Sequence, residues 1–333
     1  MWKQKRRFEY QIQFIQKYIF AFSLNCMEDI RKLLTTYAYN ILGSYEDAKD
    51  IVQDAYLKFY NLDDNESIEN KKAYLVRMVI NLSINLKKRK NVLVSQYPGE
   101  YLPEPLAIEG ADTNIIRQDI LSYSLMVLLD KLNPKQRAVF ILKEAFDYDH
   151  RDISEVLQIS EEGSRKLLSR AKQELKNPPI VVNTSNTKEY VEKYLEVITS
   201  GDIEQLENLL HDDISIISDG GGKASAILRP LYGKSNVAKF LAGIYRKFYS
   251  TGDIQVKKTN INHQPGLLIY KNQELSVCQV FEFQEGNISR IYFVRNPDKL
   301  RSLIWEFENA GRMQNEKGKM KNVYTIAFQQ HST

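Results

Sequence analysis

Three aspartates, Asp47, Asp50 and Asp54, recur at spacings of three and four among apolar residues Ala48, Ile51, Val52, Ala55 and Phe59 of the same period. On a helix the carboxylates form one stripe and the apolar residues another. Carboxylates so placed repel one another slightly and suit a cationic partner surface, although a solvated face has the same spacing. A second stripe has the opposite character. Tyr74, Arg77, Asn81, Asn85 and Lys88 fall on one side of the pattern from Lys72 to Lys90, whose other side carries Leu75, Met78, Val79, Leu82 and Leu86. A ring, a guanidinium and two amides in line can stack on and hydrogen-bond to unpaired bases. The closing run Lys87-Lys88-Arg89-Lys90 can neutralise phosphates, and it exceeds what complementing a helix dipole needs.

A third cluster lies further on. Arg151–Leu157 and Ser160–Leu175 read as two helices joined through Gln158-Ile159. Ile153, Val156, Leu157, Ile159, Leu167, Leu168 and Ala171 supply a shared core, Ser160 an N-cap, and Glu161 and Glu162 charges suited to the positive helix end. The outward side then presents Ser164, Arg165, Lys166, Ser169, Arg170 and Lys172. Such a helix can enter a major groove, although a plain helical hairpin has the same outline.

These stripes need helices to carry them. Apolar residues at three- and four-residue spacing run from Met27 to about Lys90, and again from about Ile115 to Lys176. Pro98, Gly99, Pro103, Pro105 and Gly110 mark a linker between the two blocks; Asn177-Pro178-Pro179 ends the second. Beyond Thr187 the character changes. Helices are expected over Lys188–Ser200, Ile203–Leu210 and Ser235–Phe248, with strands at Ile214–Ser218, Ile254–Ile261, Leu275–Phe283 and Ile288–Val294. Gly286-Asn287 reads as a hairpin turn. The expected architecture is all-α, all-α, then α+β.

The composition narrows the function classes. A chain of 333 residues calls for two or three domains. Lys and Arg exceed Asp and Glu by 46 to 42, so a nucleic-acid surface has to come from local clustering. Two cysteines, Cys26 and Cys278, cannot build a disulfide scaffold or a cysteine metal site, which suits a reducing cytoplasm. The basic start and the apolar run Ile12–Leu24 are broken by Gln11, Gln13, Gln16 and Lys17, which argues against a signal or membrane span. Residues 1–26 therefore read as an extension or a misassigned start, and a cytoplasmic protein is expected.

In order and spacing the motifs resemble a known family. Leu42-Gly43-Ser44, Asp47-Ala48 and Asp50-Ile51-Val52-Gln53-Asp54, followed by Tyr74-Leu75, Asn81-Leu82, Asn85 and Lys88-Arg89, resemble region 2 of sigma-70-type initiation factors of the extracytoplasmic-function class. Leu132-Asn133-Pro134, Arg137-Ala138-Val139-Phe140 and the helix-turn-helix resemble region 4. The resemblance implies that Asp47, Asp50, Gln53 and Asp54 face the clamp helices of the RNA polymerase β′ subunit. It implies that Tyr74, Arg77, Asn81, Asn85, Lys88 and Arg89 handle the −10 element of promoter DNA. The −35 element falls to Glu162, Ser164, Arg165, Lys166, Ser169 and Arg170. Tyr74 replaces the usual Trp, Asn85 the usual Asp, and Glu162-Gly163-Ser164 a common Gly-Thr-Val, so no promoter sequence carries over.

Three further segments resemble the group fused to a SnoaL-like (nuclear-transport-factor-2-like) domain with a cone-shaped fold: Tyr101-Leu102-Pro103-Glu104-Pro105-Leu106, Asp219-Gly220-Gly221-Gly222-Lys223, and Asn296-Pro297-Asp298-Lys299-Leu300. The resemblance implies a domain that regulates the sigma core, with these segments contacting the core or its linker. The expected boundaries are region 2 over 27–92, a linker over 93–115, region 4 over 116–178, the SnoaL-like domain over 187–312 and a flexible tail over 313–333. The Asp219–Lys223 loop lacks the spacing of a phosphate-binding loop. His211-Asp212-Asp213 offers acid–base side chains but falls at an expected helix end, where a turn is the simpler role. No catalytic residue, metal or cofactor is expected. The pocket inherent to the fold stays open to a small-molecule ligand. Two alternatives remain: a one-component ligand-sensing DNA-binding regulator, and a SnoaL-type enzyme with a DNA-binding arm.

Overall fold

A computed structural model describes residues 28–62, 67–94, 96–107, 115–176, 187–249, 254–303 and 324–325. The expected N-terminal extension, Cys26 included, lies outside them, as does most of the tail.

The first block has three helices: α1 over residues 28–42, α2 over Tyr45–Tyr60 and α3 over Lys71–Val94. Gly43 breaks the chain between α1 and α2 with a φ of +74°, a conformation glycine adopts without steric cost. The second block comprises α4 (Tyr123–Leu129), α5 (Pro134–Phe140, continued by a π-turn Ile141–Ala145), α6 (His150–Leu157) and α7 (Glu161–Leu175). Asn133 and Gln136 form a reciprocal capping box at the start of α5, with Pro134 in the first turn, where no amide hydrogen is missed. Gln158 takes a left-handed conformation to close α6, and Ser160 caps α7. One continuous apolar core runs through both blocks, from Leu34 through Val79 and Phe140 to Leu175.

The C-terminal domain is α+β. Helices α8 (Thr187–Ser200), α9 (Ile203–Leu209) and α10 (Lys234–Ile244, continued by a π-turn Tyr245–Tyr249) accompany a seven-stranded sheet. Its strands are β1 (Leu210–Asp219), β2 (Leu231–Tyr232), β3 (Ile254–Ile261), β4 (Gln264–Lys271), β5 (Glu274–Gln284), β6 (Asn287–Val294) and β7 (Tyr324–Thr325). Their order is β2-β1-β6-β5-β4-β3-β7, antiparallel except for the β1–β6 pair. A last helix, α11, spans residues 297–303.

The period of two along these strands explains how the domain sits. Leu267, Ile269, Val277, Phe281, Ile291 and Phe293 face α8, α9 and α10. Their neighbours Leu268, Cys278, Val280, Tyr292 and Val294 face the other way, onto Leu102, Ala107, Tyr123 and α11. Both faces of the sheet are thus covered, one by its own helices and the other by the linker and α4.

Several sequence expectations are corrected here. β4 was not expected, because Pro265 and Gly266 interrupt its pattern; a side chain at Gly266 would meet Ile261 at 2.8 Å. The last hairpin turns at Glu285-Gly286, both with positive φ, one residue before the expected position. His211-Asp212-Asp213 belongs to an irregular stretch of β1, with Asp212 bound to Lys234 at 2.7 Å. Within the tail, Tyr324 and Thr325 pair with Val256 and Gln255.

Candidate functional site

Helix α2 is capped by Ser44, whose Oγ accepts from the Asp47 amide, and it buries Ala48, Ile51, Val52, Ala55 and Phe59. Asp50, Gln53 and Asp54 are left exposed on one face. Asp47 is not free: its carboxylate is paired with Lys90 at the end of α3. Sequence reasoning missed Leu57, which continues the acidic face one turn on and is 55% exposed.

Helix α3 turns Leu75, Val76, Val79, Ile80, Ser83, Ile84 and Lys87 inward, so Met78, Leu82 and Leu86 are only half-buried. Arg77, Asn85, Lys88 and Arg89 are exposed, and Tyr74 lies against Phe59 with ring centroids 6.0 Å apart. The cationic run is smaller than its sequence suggests, because Lys87 is buried and Lys90 is engaged. Asn81 is engaged too. Its amide donates to the Val156 carbonyl on α6 at 2.9 Å. Around that bond a groove of about 470 Å³ separates Tyr74 and Arg77 from Asp152 and Glu155.

Helix α7 exposes Glu162, Arg165, Lys166, Ser169 and Arg170, but Ser164 is fully buried and bonded to His150 Nδ1 at 2.8 Å. Ser164 is therefore part of the packing between α6 and α7 and not of the outward face. Arg165 pairs with Glu161 at 3.0 Å and Lys166 with Glu162 at 2.6 Å. Exposed pairs one turn apart contribute little, so these cations can be redirected to phosphates at small cost.

The linker joins everything. Residues 102–107 are buried as an extended strip between the helical blocks and the sheet. The Leu102 amide donates to Asp219 Oδ2 at 3.0 Å, and its carbonyl accepts from Lys299. Asp219 is fully buried and also accepts from Tyr97 at 2.6 Å, Gly221 at 2.9 Å and Lys299 at 2.6 Å. The Lys299 ammonium sits 3.3 Å from the Tyr101 ring centroid; burial lowers its pKa, with Asp219 opposing the shift. Pro103 accepts from the Tyr123 hydroxyl, Glu104 reaches the start of α2, and Pro105 is buried beside it.

The glycine loop fits around these contacts. Gly221 has a φ of +60°, and a side chain there would lie 2.3 Å from Asn296, which donates to Tyr97 and caps α11 through the Asp298 amide. Pro297 opens α11, Gly220 closes the loop against Ala224, and Gly222 faces Pro98. Lys223 departs from expectation. It pairs with Asp298 inside its own domain and does not reach the helical blocks.

Two junction groups escaped the sequence reading. Asn262, in the β3–β4 turn at φ +46°, is fully buried. Its Oδ1 accepts from Leu106, its Nδ2 donates to Tyr39 at 2.8 Å, and its carbonyl accepts from Tyr123. The second is ionic. Arg137, with no exposed surface, donates to Asp130 and to the Asn40 carbonyl that ends α1, while Lys87 donates to Asp130 at 2.7 Å and to the Leu42 carbonyl at 3.0 Å. Burial lowers the Lys87 pKa to about 8 against the pull of Asp130. Burial acts to raise the Asp130 pKa, but Arg137 and Lys87 outweigh it and hold the carboxyl below its usual range.

Among the described residues, no three His, Cys, Asp or Glu side chains gather as a metal site requires. The space inside the C-terminal domain between Tyr194, Tyr245, Val256 and Gln279 is about 40 Å³, room for roughly two or three waters. No helix among the described residues is long and apolar enough to cross a membrane.

Comparison with known proteins agrees with this geometry. Residues 26–92 match the Sigma-70 region 2 family, and residues 122–175 match Sigma-70, region 4. The chain therefore carries the two conserved regions of sigma-70-type initiation factors, followed by an α+β C-terminal domain. It is similar to the ECF RNA polymerase sigma factor SigJ of Mycobacterium tuberculosis, 26% identical over an alignment of 288 residues that covers 82% of this chain and 91% of that protein. A probable ECF RNA polymerase sigma factor of the same species, SigI, is 20% identical over 82% of this chain and 93% of its own. The crystal structure of SigJ superposes with a TM-score of 0.68 at 25% identity, over 84% of this chain and 98% of that one.

Proposed function

We propose that this sigma factor rests in a closed arrangement held by its own C-terminal domain, and opens to direct RNA polymerase core to promoters in the cytoplasm. Asp50, Gln53 and Asp54 on α2 meet the β′ clamp helices, with Asp47 joining once Lys90 releases it. Tyr74, Arg77, Asn81, Asn85, Lys88 and Arg89 on α3 handle the −10 element. Glu162, Arg165, Lys166, Ser169 and Arg170 on α7 take the −35 element; Ser164 has no place in that set.

The observation that carries the closed state is the Asn81–Val156 bond, which joins the −10 stripe to the helix-turn-helix. Elements centred near −10 and −35 lie about 25 base pairs apart, roughly 85 Å of duplex at 3.4 Å per pair. Helices in contact cannot serve both. Asp219, Lys299 and Asn262 support a holding role for the C-terminal domain, since each ties it to the linker or to α1.

The test is promoter-directed transcription with core polymerase, comparing wild type with Asp219→Ala, Lys299→Ala and Lys223→Ala. The first two should change transcript yield several-fold and the third should not. If no version of the chain initiates at any promoter, the reading is wrong.

A further inference from the structure

Glu104 stands in the middle of the linker and is only 3% exposed. Its Oε2 accepts from the Tyr45 amide at 2.8 Å and from the Ser44 hydroxyl at 3.0 Å, both at the start of α2. Its own amide donates to the Gly43 carbonyl and its carbonyl accepts from the Tyr39 hydroxyl. Two residues earlier, Leu102 is held by Asp219 and Lys299. A few residues of extended chain thus connect the C-terminal domain to the first turn of α2.

Helix α2 does not need this carboxylate to form. Ser44 is a cap in its own right, and its bond from the Asp47 amide is long, 3.4 Å, while its hydroxyl points at Glu104. Nor is Glu104 comfortable. Its Oε1 has no hydrogen bond, and neither has the buried Ser302 hydroxyl of α11. Burial raises the carboxyl pKa, opposed by the polar groups of Ser302, Tyr45, Ser44 and Glu46 beside it. A buried, half-satisfied carboxylate is costly to keep, which suits a contact that is meant to be released.

Opening requires that release. With Glu104 seated on α2, only the 18 residues from Pro105 to Ser122 remain to reach α4, and they span at most about 65 Å when fully extended. A separation near 85 Å between the promoter elements therefore leaves no slack for a segment still folded against α2.

We propose that Glu104 is a clasp, a positioning residue through which the linker holds α2 in the closed arrangement, so that linker seating competes with polymerase binding. The proposal rests on the reading of α2 as the polymerase-binding helix.

The experiment measures binding of the full-length chain to core polymerase by fluorescence anisotropy, alongside proteolysis of the linker. Glu104→Ala should bind about fivefold tighter than wild type, at the low end of ordinary coupling, and its linker should be cut faster. Glu104→Gln keeps the shape and an acceptor, folds if Ala does not, and should give a smaller gain. Glu100→Ala, an exposed neighbour, should match wild type in both measurements. Equal or weaker polymerase binding by both Glu104 variants overturns the clasp, because a merely structural cap loses affinity on removal. If wild type itself fails to bind core, the reading of α2 falls and the clasp falls with it.

Discussion

The Asn81 side-chain amide and the Val156 carbonyl are 2.9 Å apart, and through them α3 is tied to α6 of the helix-turn-helix. The two surfaces we propose for the −10 and −35 elements are thus packed together. Fluorescent labels on cysteines introduced at Lys88 and Ser169, both exposed, should report a short distance in the free chain and tens of ångströms more with core polymerase and promoter DNA. An unchanged distance would contradict the closed-to-open scheme.

Asp219 and Lys223 stand four residues apart and should differ sharply. Asp219→Ala leaves the buried Lys299 ammonium without its carboxylate, a loss of about 3–5 kcal/mol. Lys223→Ala removes an exposed pair and should stay within about 0.5 kcal/mol. Thermal unfolding should show a drop of roughly 10 °C for the first and almost none for the second.

Asn262 separates backbone from side-chain effects. Asn262→Gly keeps the left-handed turn but removes the bonds to Leu106 and Tyr39, for an expected loss of about 2 kcal/mol. Asn262→Ala should lose about 1 kcal/mol more, because alanine resists a positive φ. Denaturant titration of the two variants orders them.

Lys87 sets a pH dependence. Its pKa falls from the model-compound value of 10.5 to about 8 in the folded protein. Between those values the unfolded chain binds more protons, so this group adds stability as pH rises from about 8 to 10.5, by up to roughly 3 kcal/mol. Lys87→Met should lack that rise, while Asp130→Ala should be strongly destabilised, because Arg137 and Lys87 both lose their carboxylate. Melting temperatures across that pH range distinguish the three proteins.

The acidic face of α2 should not act uniformly. Asp54→Ala and Asp50→Ala remove exposed charges and should each weaken core polymerase binding, about tenfold, mainly through slower association. Asp47→Ala should weaken it less, because Asp47 is already neutralised by Lys90. Association rates at two salt concentrations measure the difference.

Much of this arrangement is legible in the chain itself. The cap at Ser160 and the helical period placed α7 within a residue or two, because those signals are local. Ser164 was legible as well, though it was grouped with the outward residues: it shares its row with Leu168, Ala171 and Leu175 at helical spacing.

Other features depend on partners far along the chain. A run of four cations carries no sign that its first member bonds Asp130, 43 residues later. Asn262 and Tyr97 lie in a turn and a loop, and only tertiary packing turns them inward. The two-residue turn at Asn262-His263 lacks the usual glycine, which hid it and β4 together.

The reach of Asn262 back to Leu106 spans 156 residues and has a consequence for synthesis. At about 5–20 residues per second, a ribosome takes roughly 8–30 s to travel that stretch. During that interval the nascent linker and α1 stand without the turn that will later hold them, so under the closed-to-open scheme proposed above a young molecule is expected to be more open than a finished one.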